Sequence, residues 1–198
     1  MHKWVIGIAV GTLLAGCQTP AVSTNKHSDF QSEVVRLTEG HGDLVLIEAR
    51  ADSERKVALV VRYVETAPSG RPLCTLFIVE RYGPKTSIVE TNDEFLACNN
   101  APGAELVKHA LEARVEADSI RLEEQHVRSH STFDFARTGS GRWHLVYGDH
   151  VGPENNPEGG DLLLVSNTVA YANPKDGPTV SDFNHEVISK HLVRSVIE

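Results

Sequence analysis

Apolar and polar side chains alternate with a period of two along much of this chain. Residues 56–65 show it best, because Val57, Leu59, Val61 and Tyr63 would all lie on one face. Such alternation is typical of a β-strand, in which successive side chains point to opposite faces of a sheet. The segment therefore predicts a strand with at least one buried face.

Further runs rich in β-forming residues follow at a spacing of roughly ten residues, separated by turns rich in Gly, Pro, Asn and Asp. The runs are residues 44–49, 74–82, 86–91, 132–137, 142–147, 162–171 with a kink at 166–167, and 179–183. This pattern predicts a mainly β fold: an antiparallel sheet, a sandwich or a partial barrel, with one or two short helices.

The most aromatic stretch of the chain predicts a hairpin and the centre of the core. Residues 132–137 and 142–147 alternate, and a Gly-containing loop joins them. The side chains expected on its buried face are Phe133, Phe135, Trp143, Leu145 and Tyr147.

Three segments have a helical or an ambiguous pattern. Residues 30–37 fit one or two helical turns, and residues 104–117 fit both a helical stripe and a strand. We favour a strand for residues 111–115, whereas residues 187–197 fit either a helix or a last strand.

A short apolar leader precedes these elements. His2 and Lys3 give a charged start, and residues 4–14 are apolar or small, fewer than the roughly 20 residues that span a bilayer. The leader ends in Leu14, Ala15, Gly16 and Cys17, which resembles the lipobox of bacterial lipoproteins. That resemblance implies that the Cys17 sulfur is joined to a diacylglycerol, that the leader is cut before Cys17 and that the new amino group is acylated, with fatty acids such as palmitate. Several acyl chains anchor a protein stably, whereas one chain binds a membrane only marginally.

The resemblance and the composition together predict three parts. Residues 1–16 are a lipoprotein signal peptide, residues 17–29 are a polar tether, and residues 30–198 form a single β-rich periplasmic domain. Gln18 stands where an Asp would indicate retention in the inner membrane. The resemblance therefore implies an outer-membrane protein facing the periplasm, with the membrane as its first partner.

The remaining cysteines, Cys74 and Cys98, agree with an oxidising compartment. An even pair there predicts one disulfide, which would close a loop of roughly 25 residues and stabilise the fold by about 3 kcal/mol. Two free thiols or a metal site are the alternatives. A metal site needs two further ligands and no His lies between the two cysteines, so we expect no metal and no cofactor.

The charge of the chain limits its partners. The formal net charge is −8, and loss of Lys3 with the leader makes it −9. Binding of nucleic acid needs clustered Lys and Arg, so we expect no nucleic-acid partner. An acidic surface instead favours solubility or a basic protein partner.

No strong catalytic motif is present, and no catalytic residue is predicted. The best candidate for a contact surface is a polar Gly- and Pro-rich loop at residues 148–160, because long loops in compact domains are often functional. Its acids and its imidazole could bind a cation or form a general-base pair, although the ligand alternation of a calcium loop is absent. The candidate residues are Asp149, His150, Glu154, Glu158 and Asp161.

Three functions are compatible with these observations. We favour a lipid-anchored binding or interaction protein with an unidentified protein partner, one form of which is an immunity-type inhibitor of a secreted toxin. The alternatives are a carrier of a small ligand, and a metal-dependent or hydrolytic envelope enzyme that uses residues 149–161. A deep pocket in the folded domain would favour the carrier over the interaction protein.

Overall fold

Two antiparallel sheets face each other and form the body of the protein. The computed structural model describes residues 26–51, 54–67, 70–96, 98, 103–183 and 192–197. Sheet A has four strands and sheet B has six, and one apolar core fills the space between them. The mainly β prediction is confirmed, and the sandwich is the form the fold takes. The predicted signal peptide and the anchor at Cys17 lie outside the described residues.

Sheet A is a simple meander in the order β1-β2-β3-β4. Its strands are β1 (Asp43–Arg50), β2 (Arg55–Val64), β3 (Leu73–Tyr82) and β4 (Lys85–Asn92). The alternation predicted for β2 is confirmed, since Val57, Leu59, Val61 and Tyr63 all enter the core between the sheets. Both faces of the sheet are covered, which explains why β2 is apolar almost throughout.

The second face of sheet A is covered by helix α1 (Lys26–Thr38). Phe30 and Val34 are fully buried against Ala58 and Val60 of β2. The spacing of four residues places both side chains on one face of the helix, as amphipathic packing requires. The helix predicted at residues 30–37 is confirmed, and it begins at Lys26, within the segment predicted to be a tether.

Arg62 of β2 fastens the end of α1 to the sheet. Its guanidinium donates to the backbone oxygen of Val35 at 2.7 Å, to Thr38 Oγ1 at 3.0 Å and to the backbone oxygen of Gly42 at 3.2 Å. The first two acceptors lie in the last turn of the helix, where backbone carbonyls lack helical partners. Gly42 has a φ of 101°, and a Cβ there would stand 2.4 Å from the backbone oxygen of Tyr63.

Sheet B runs in the order β10-β9-β8-β7-β6-β5. Its strands are β5 (Leu111–Val115), β6 (Ser119–Gln125), β7 (His130–Arg137), β8 (Trp143–Glu154), β9 (Leu163–Ala170) and β10 (Val193–Ile197). One face packs on sheet A, and we call it the inner face. The outer face is polar, as is typical of an antiparallel sheet with one solvated side.

Both ambiguous segments contain a strand. Residues 104–117 split into helix α2 (Ala104–Ala110) and strand β5, so the strand favoured at residues 111–115 is confirmed. In the tail, residues 193–197 form the edge strand β10, which pairs antiparallel with β9. Residues 187–191 of the same predicted segment lie outside the described residues.

A bulge in β8 corrects the prediction for the aromatic hairpin. Phe135 pairs with Leu145 but Asp134 pairs with Tyr147, so Val146 is an extra residue in β8. A bulge of this kind changes which residues of a strand face the core. Phe133, Phe135, Trp143 and Leu145 lie on the inner face as predicted, whereas Tyr147 lies on the outer face beside Asp134.

The loop predicted at residues 148–160 is also wrong in part. Strand β8 continues through Glu154, and its pairing with β9 is unbroken from Tyr147 to Glu154. The same unbroken pairing shows that β9 is one regular strand without the kink predicted at residues 166–167. Residues 179–183 do not form a strand, because Val180–Asp182 is a 3₁₀ turn capped by the side chain of Thr179.

Covalent and polar links hold the sandwich together. The predicted disulfide between Cys74 and Cys98 is confirmed, with 5.7 Å between the two Cα atoms. Two buried carboxylates of sheet A bind the β7–β8 hairpin of sheet B. Glu80 accepts from Arg137 at 2.8 Å and from the Trp143 indole at 2.7 Å. Glu90 accepts from Arg142 at 2.6 Å.

Candidate functional site

A cavity of about 650 Å³ lies between the inner face of sheet B and helix α2, and we call it the cleft. Sites for small molecules typically have roughly 300 to 1,000 Å³ and mainly apolar walls. The apolar walls of the cleft include side chains from α2, from sheet B and from the segments that follow β4 and the 3₁₀ turn: Phe95, Leu106, Val107, Phe133, Val169 and Phe183.

Phe95 organises the aromatic wall of the cleft. Its ring centroid lies 3.9 Å from that of Phe183, 4.6 Å from that of Phe133 and 5.0 Å from that of Phe135. Phe95 comes shortly after β4 and shortly before Cys98, which also lines the cleft. The disulfide therefore ties the chain near this ring to β3.

Four polar side chains cross the floor of the cleft in one line. The strand register places Glu124 opposite Ser131, Ser131 opposite His150, and His150 opposite Asn167. Directly opposed residues of neighbouring strands have Cβ atoms about 5 Å apart and share a face. These four residues, which we call the polar row, thus run across β6, β7, β8 and β9, and all of them line the cleft.

Hydrogen bonds hold most of the polar row in place. Ser131 Oγ and His150 Nδ1 share a hydrogen bond of 2.9 Å, and the Glu124 carboxylate lies 3.2 Å from His126 Nε2. Glu124 and Ser131 are buried, whereas His150 is exposed. Side chains that are held in this way present fixed hydrogen-bonding positions to a ligand.

The far end of the row is joined to a charged pair. Asn167 Nδ2 donates to Glu154 Oε1 at 2.9 Å, and Arg194 of β10 donates to Glu154 Oε2 at 3.2 Å. The hydrogen bond from Asn167, together with Arg194, holds the pKa of Glu154 below its usual range. Glu154 thus orients the Asn167 amide and neutralises Arg194.

Two glycines of β8 make room on this floor. A Cβ on Gly148 would lie 3.2 Å from Val169 Cγ1 and 3.6 Å from Phe133 Cδ1. A Cβ on Gly152 would lie 3.1 Å from His150 Nε2. Glycine within a strand often marks such a close approach, and here it leaves space for the imidazole and for a ligand.

The five residues of the predicted contact loop are not brought together. Asp149 and His150 are neighbours on β8 and point to opposite faces. The Asp149 carboxylate accepts from Ser166 at 2.7 Å and from Thr168 at 3.1 Å on the outer face. His150 and Glu154 belong to the cleft side, whereas Glu158 and Asp161 are exposed in the loop after β8.

Sequence reasoning missed three of the four residues of the polar row. On β6, Glu124 follows Ile120 and Leu122 at the same spacing of two residues, and on β7 Ser131 precedes Phe133 and Phe135 in the same way. On β9, Asn167 stands between Val165 and Val169. On each of these three strands, a polar residue thus occupies a position in a row of otherwise apolar, core-facing residues. Polar residues at core-facing positions are informative because burial without hydrogen bonds is costly, and that signal could have identified the row.

The chemistry of the row is that of hydrogen bonding. A hydroxyl next to an imidazole is the first part of a nucleophile and base pair. In the described part of the chain, however, no carboxylate lies within ion-pair distance of His150. No group of three or more His, Cys, Asp and Glu among the residues that the structure describes could hold a metal ion.

Comparison with family models, with curated proteins and with solved structures finds no match for this chain.

Within the described residues, no helix has the length and the apolar composition needed to cross a membrane.

Proposed function

We propose that this protein binds a small molecule in the cleft, and that the ligand has an apolar body and a hydrogen-bonding end group. The observation that carries the proposal is the cleft itself, about 650 Å³ of space with apolar walls. Burial of apolar surface supplies affinity, and the polar row supplies orientation and selectivity.

The cleft favours the small-ligand carrier, whereas the sequence alone favoured the interaction protein. A pocket with apolar walls and a few polar groups along one line suits a small ligand, whereas a protein partner would use a broad exposed apolar or acidic surface. We therefore place the ligand carrier before the interaction protein. A protein partner, including the toxin of an immunity-type inhibitor, stays a prediction that the described residues do not address.

We further propose that the carrier is a lipoprotein of the outer membrane that faces the periplasm. The lipobox-like residues from Leu14 to Cys17 support the anchor, and the disulfide supports an oxidising compartment. Growth with labelled palmitate tests the anchor. Label is expected on the wild-type protein and not on a Cys17→Ala variant, and absence of label from the wild type would contradict the proposal.

Titration with Nile red, an uncharged dye whose fluorescence rises in apolar surroundings, tests the binding function. The full chain with Cys17→Ser avoids acylation, so that lipid does not compete for the dye. We expect saturable binding with one site per chain, and displacement of the dye by decanol. Fluorescence that rises without saturation, or that decanol does not displace, would show that the cleft is not a ligand site.

A hydrolase that acts on an apolar ester is the second candidate function. The hydrogen bond of 2.9 Å between Ser131 Oγ and His150 Nδ1 favours it, because a Ser next to a His base is one form of activated nucleophile. A fluorophosphonate probe would then label the chain at Ser131, and Ser131→Ala would abolish the labelling. Absence of labelling would leave ligand binding as the function of the cleft.

A further inference from the structure

Exposed apolar side chains lie around the opening of the cleft. Leu106 of α2 and Leu192 both line the cleft and are 56% and 40% exposed, so they lie where the cleft meets solvent. His126 and Ser129, at the two ends of the turn between β6 and β7, also line the cleft. Val127 of the same turn is fully exposed. We call Leu106, Val127 and Leu192 the rim.

Val127 is an unusual residue for its position. The backbone nitrogen of His126 donates to the backbone oxygen of Ser129 at 2.8 Å, so Val127 stands at the tip of a tight turn. Such tips are mostly Gly, Pro, Asn, Asp or Ser, and the β3–β4 turn of this chain has Gly83 and Pro84. A fully exposed valine packs against nothing in the fold. Contact with another apolar surface would explain its presence.

Cationic side chains accompany the rim. Arg128 directly follows Val127, Lys108 lies two residues after Leu106, and both side chains are exposed. An apolar side chain beside a long cationic one suits a membrane interface, where hydrocarbon and phosphate lie close together. Glu105 lies 3.9 Å from Lys108 and offsets its charge. We therefore assign the attraction to the apolar side chains rather than to charge.

The length of chain before α1 limits how far the domain can lie from a membrane. From Cys17 to Lys26 the chain spans at most about 30 Å, even when it is fully extended. The anchor proposed at Cys17 would therefore keep the domain next to the lipid leaflet. A bilayer is then the apolar phase nearest to the rim.

We propose that the rim docks on a lipid bilayer and that the cleft takes up its apolar ligand directly from the membrane. This inference rests on the proposed ligand-binding function and adds the partner from which the ligand comes. Insertion among the acyl chains removes the rim side chains from water, and it brings the opening of the cleft to the hydrocarbon. A poorly soluble ligand then enters the cleft without passing through water.

A fluorescent label on the rim tests the docking. In the full chain with Cys17→Ser, the other two cysteines form the disulfide, so Val127→Cys supplies one free thiol for an NBD label. With phosphatidylcholine vesicles, we expect NBD fluorescence to rise and a nitroxide on the lipid acyl chains to quench it. Leu164→Cys is the matched control, because Leu164 is an exposed apolar residue on the outer face of sheet B. Its label should neither brighten nor be quenched. The leader is present in both chains, so it does not account for a difference between them.

Uptake of Nile red from vesicles tests the use of the rim. Nile red is quenched in vesicles that also hold a nitroxide lipid, and its fluorescence recovers as the chain takes up the dye. Val127→Asp should slow the recovery at least about fivefold, because a carboxylate at the tip opposes insertion. The affinity for Nile red in solution without vesicles should not change. Leu164→Asp should change neither quantity.

The outcomes separate this inference from the function on which it rests. If Nile red does not bind in solution without vesicles, the ligand-binding function fails, and the NBD label still decides whether the rim meets the bilayer. If the dye binds but the label at Val127 is not quenched, or if Val127→Asp takes up the dye as fast as the parent chain, binding stands and docking of the rim is overturned. Quenching at Leu164 rather than at Val127 would place the outer face of sheet B on the membrane and would also overturn it.

Discussion

The Trp143 indole of sheet B donates a hydrogen bond of 2.7 Å to the Glu80 carboxylate of sheet A. Both residues are buried, and Arg137 donates to the same carboxylate at 2.8 Å. Arg137 ends β7, whereas Ser131 of the polar row lies near its beginning. One end of β7 thus joins the two sheets, and the other end lies at the cleft.

Trp143→Phe should destabilise the fold. It removes the indole donor and some apolar volume, and Glu80 keeps only its contact with Arg137. The loss should be about 2 kcal/mol or more in the free energy of unfolding, which urea denaturation followed by circular dichroism would measure. Tyr147→Phe on the outer face is the control and should cost less than about 1 kcal/mol. Equal effects of the two substitutions would show that the indole hydrogen bond contributes little.

Stability should fall at acid pH because of Glu90. Burial raises the pKa of this carboxyl, but hydrogen bonds from Arg142, Ser181 and the Trp143 backbone outweigh burial, and the pKa lies below its ordinary value of 4.5. The unfolded chain then binds a proton at a higher pH than the folded chain does. The contribution of Glu90 is complete above pH 4.5 and is lost as the pH falls through the folded pKa.

Glu90→Gln should reduce this acid dependence. We expect the variant to lose roughly 2 kcal/mol at pH 7, because charge-assisted hydrogen bonds are replaced by neutral ones, and to lose less than the parent between pH 7 and acid. Urea denaturation at a series of pH values measures both effects. Glu158→Gln in the exposed loop after β8 is the control at pH 7. A Glu90→Gln variant with the pH profile of the parent would assign the acid sensitivity to other groups.

Removal of the disulfide should weaken both the fold and the cleft. The two cysteines are 24 residues apart in sequence, so Cys74→Ala with Cys98→Ala should cost about 3 kcal/mol on the chain-entropy model. Binding of Nile red should weaken as well, because Cys98 lines the cleft and Phe95 lies three residues before it. Dithiothreitol should bring the parent chain to the stability of the double variant without affecting the double variant itself.

Gly148→Val should obstruct the cleft. The new Cβ would lie 3.2 Å from Val169 Cγ1, and the added methyl groups would occupy the floor between Phe133 and Leu145. We expect binding of Nile red to weaken by at least about tenfold, with a cost of about 1 to 3 kcal/mol from overpacking. Gly139→Val is the control, because a Cβ there meets no atom within 4 Å. Equal binding by both variants would place the dye elsewhere.

Much of the fold could be predicted from the sequence because sheet-forming alternation is a local property. The alternation of β2, the short helix near Phe30 and the pairing of Cys74 with Cys98 all follow from residue type and spacing. The end of β8 could not be predicted in this way. Residues 148–154 contain two Gly and one Pro, which are typical of a loop, and pairing with both β7 and β9 keeps them extended.

The residues of the cleft were harder to predict because their orientation depends on the bulge at Val146. Regular alternation from Leu145 would direct Tyr147 and Asp149 inward. The extra residue instead directs Gly148 and His150 inward and Asp149 outward. The position of a bulge depends on tertiary packing, and no local sequence motif predicts it here. Asp149 was grouped with His150 because both fell in the predicted loop at residues 148–160, whereas Ser131, which shares a hydrogen bond with His150, was not considered.

The bulge also divides strand β8 into a part that packs in the core and a part that borders the cleft. Before Val146, Trp143 and Leu145 are fully enclosed by the two sheets, and any replacement there must match their shape. Beyond Val146, the inward positions Gly148 and His150 border open space. Relatives of this protein are therefore expected to keep the first part and to vary the second, so that one scaffold can evolve to accept different molecules.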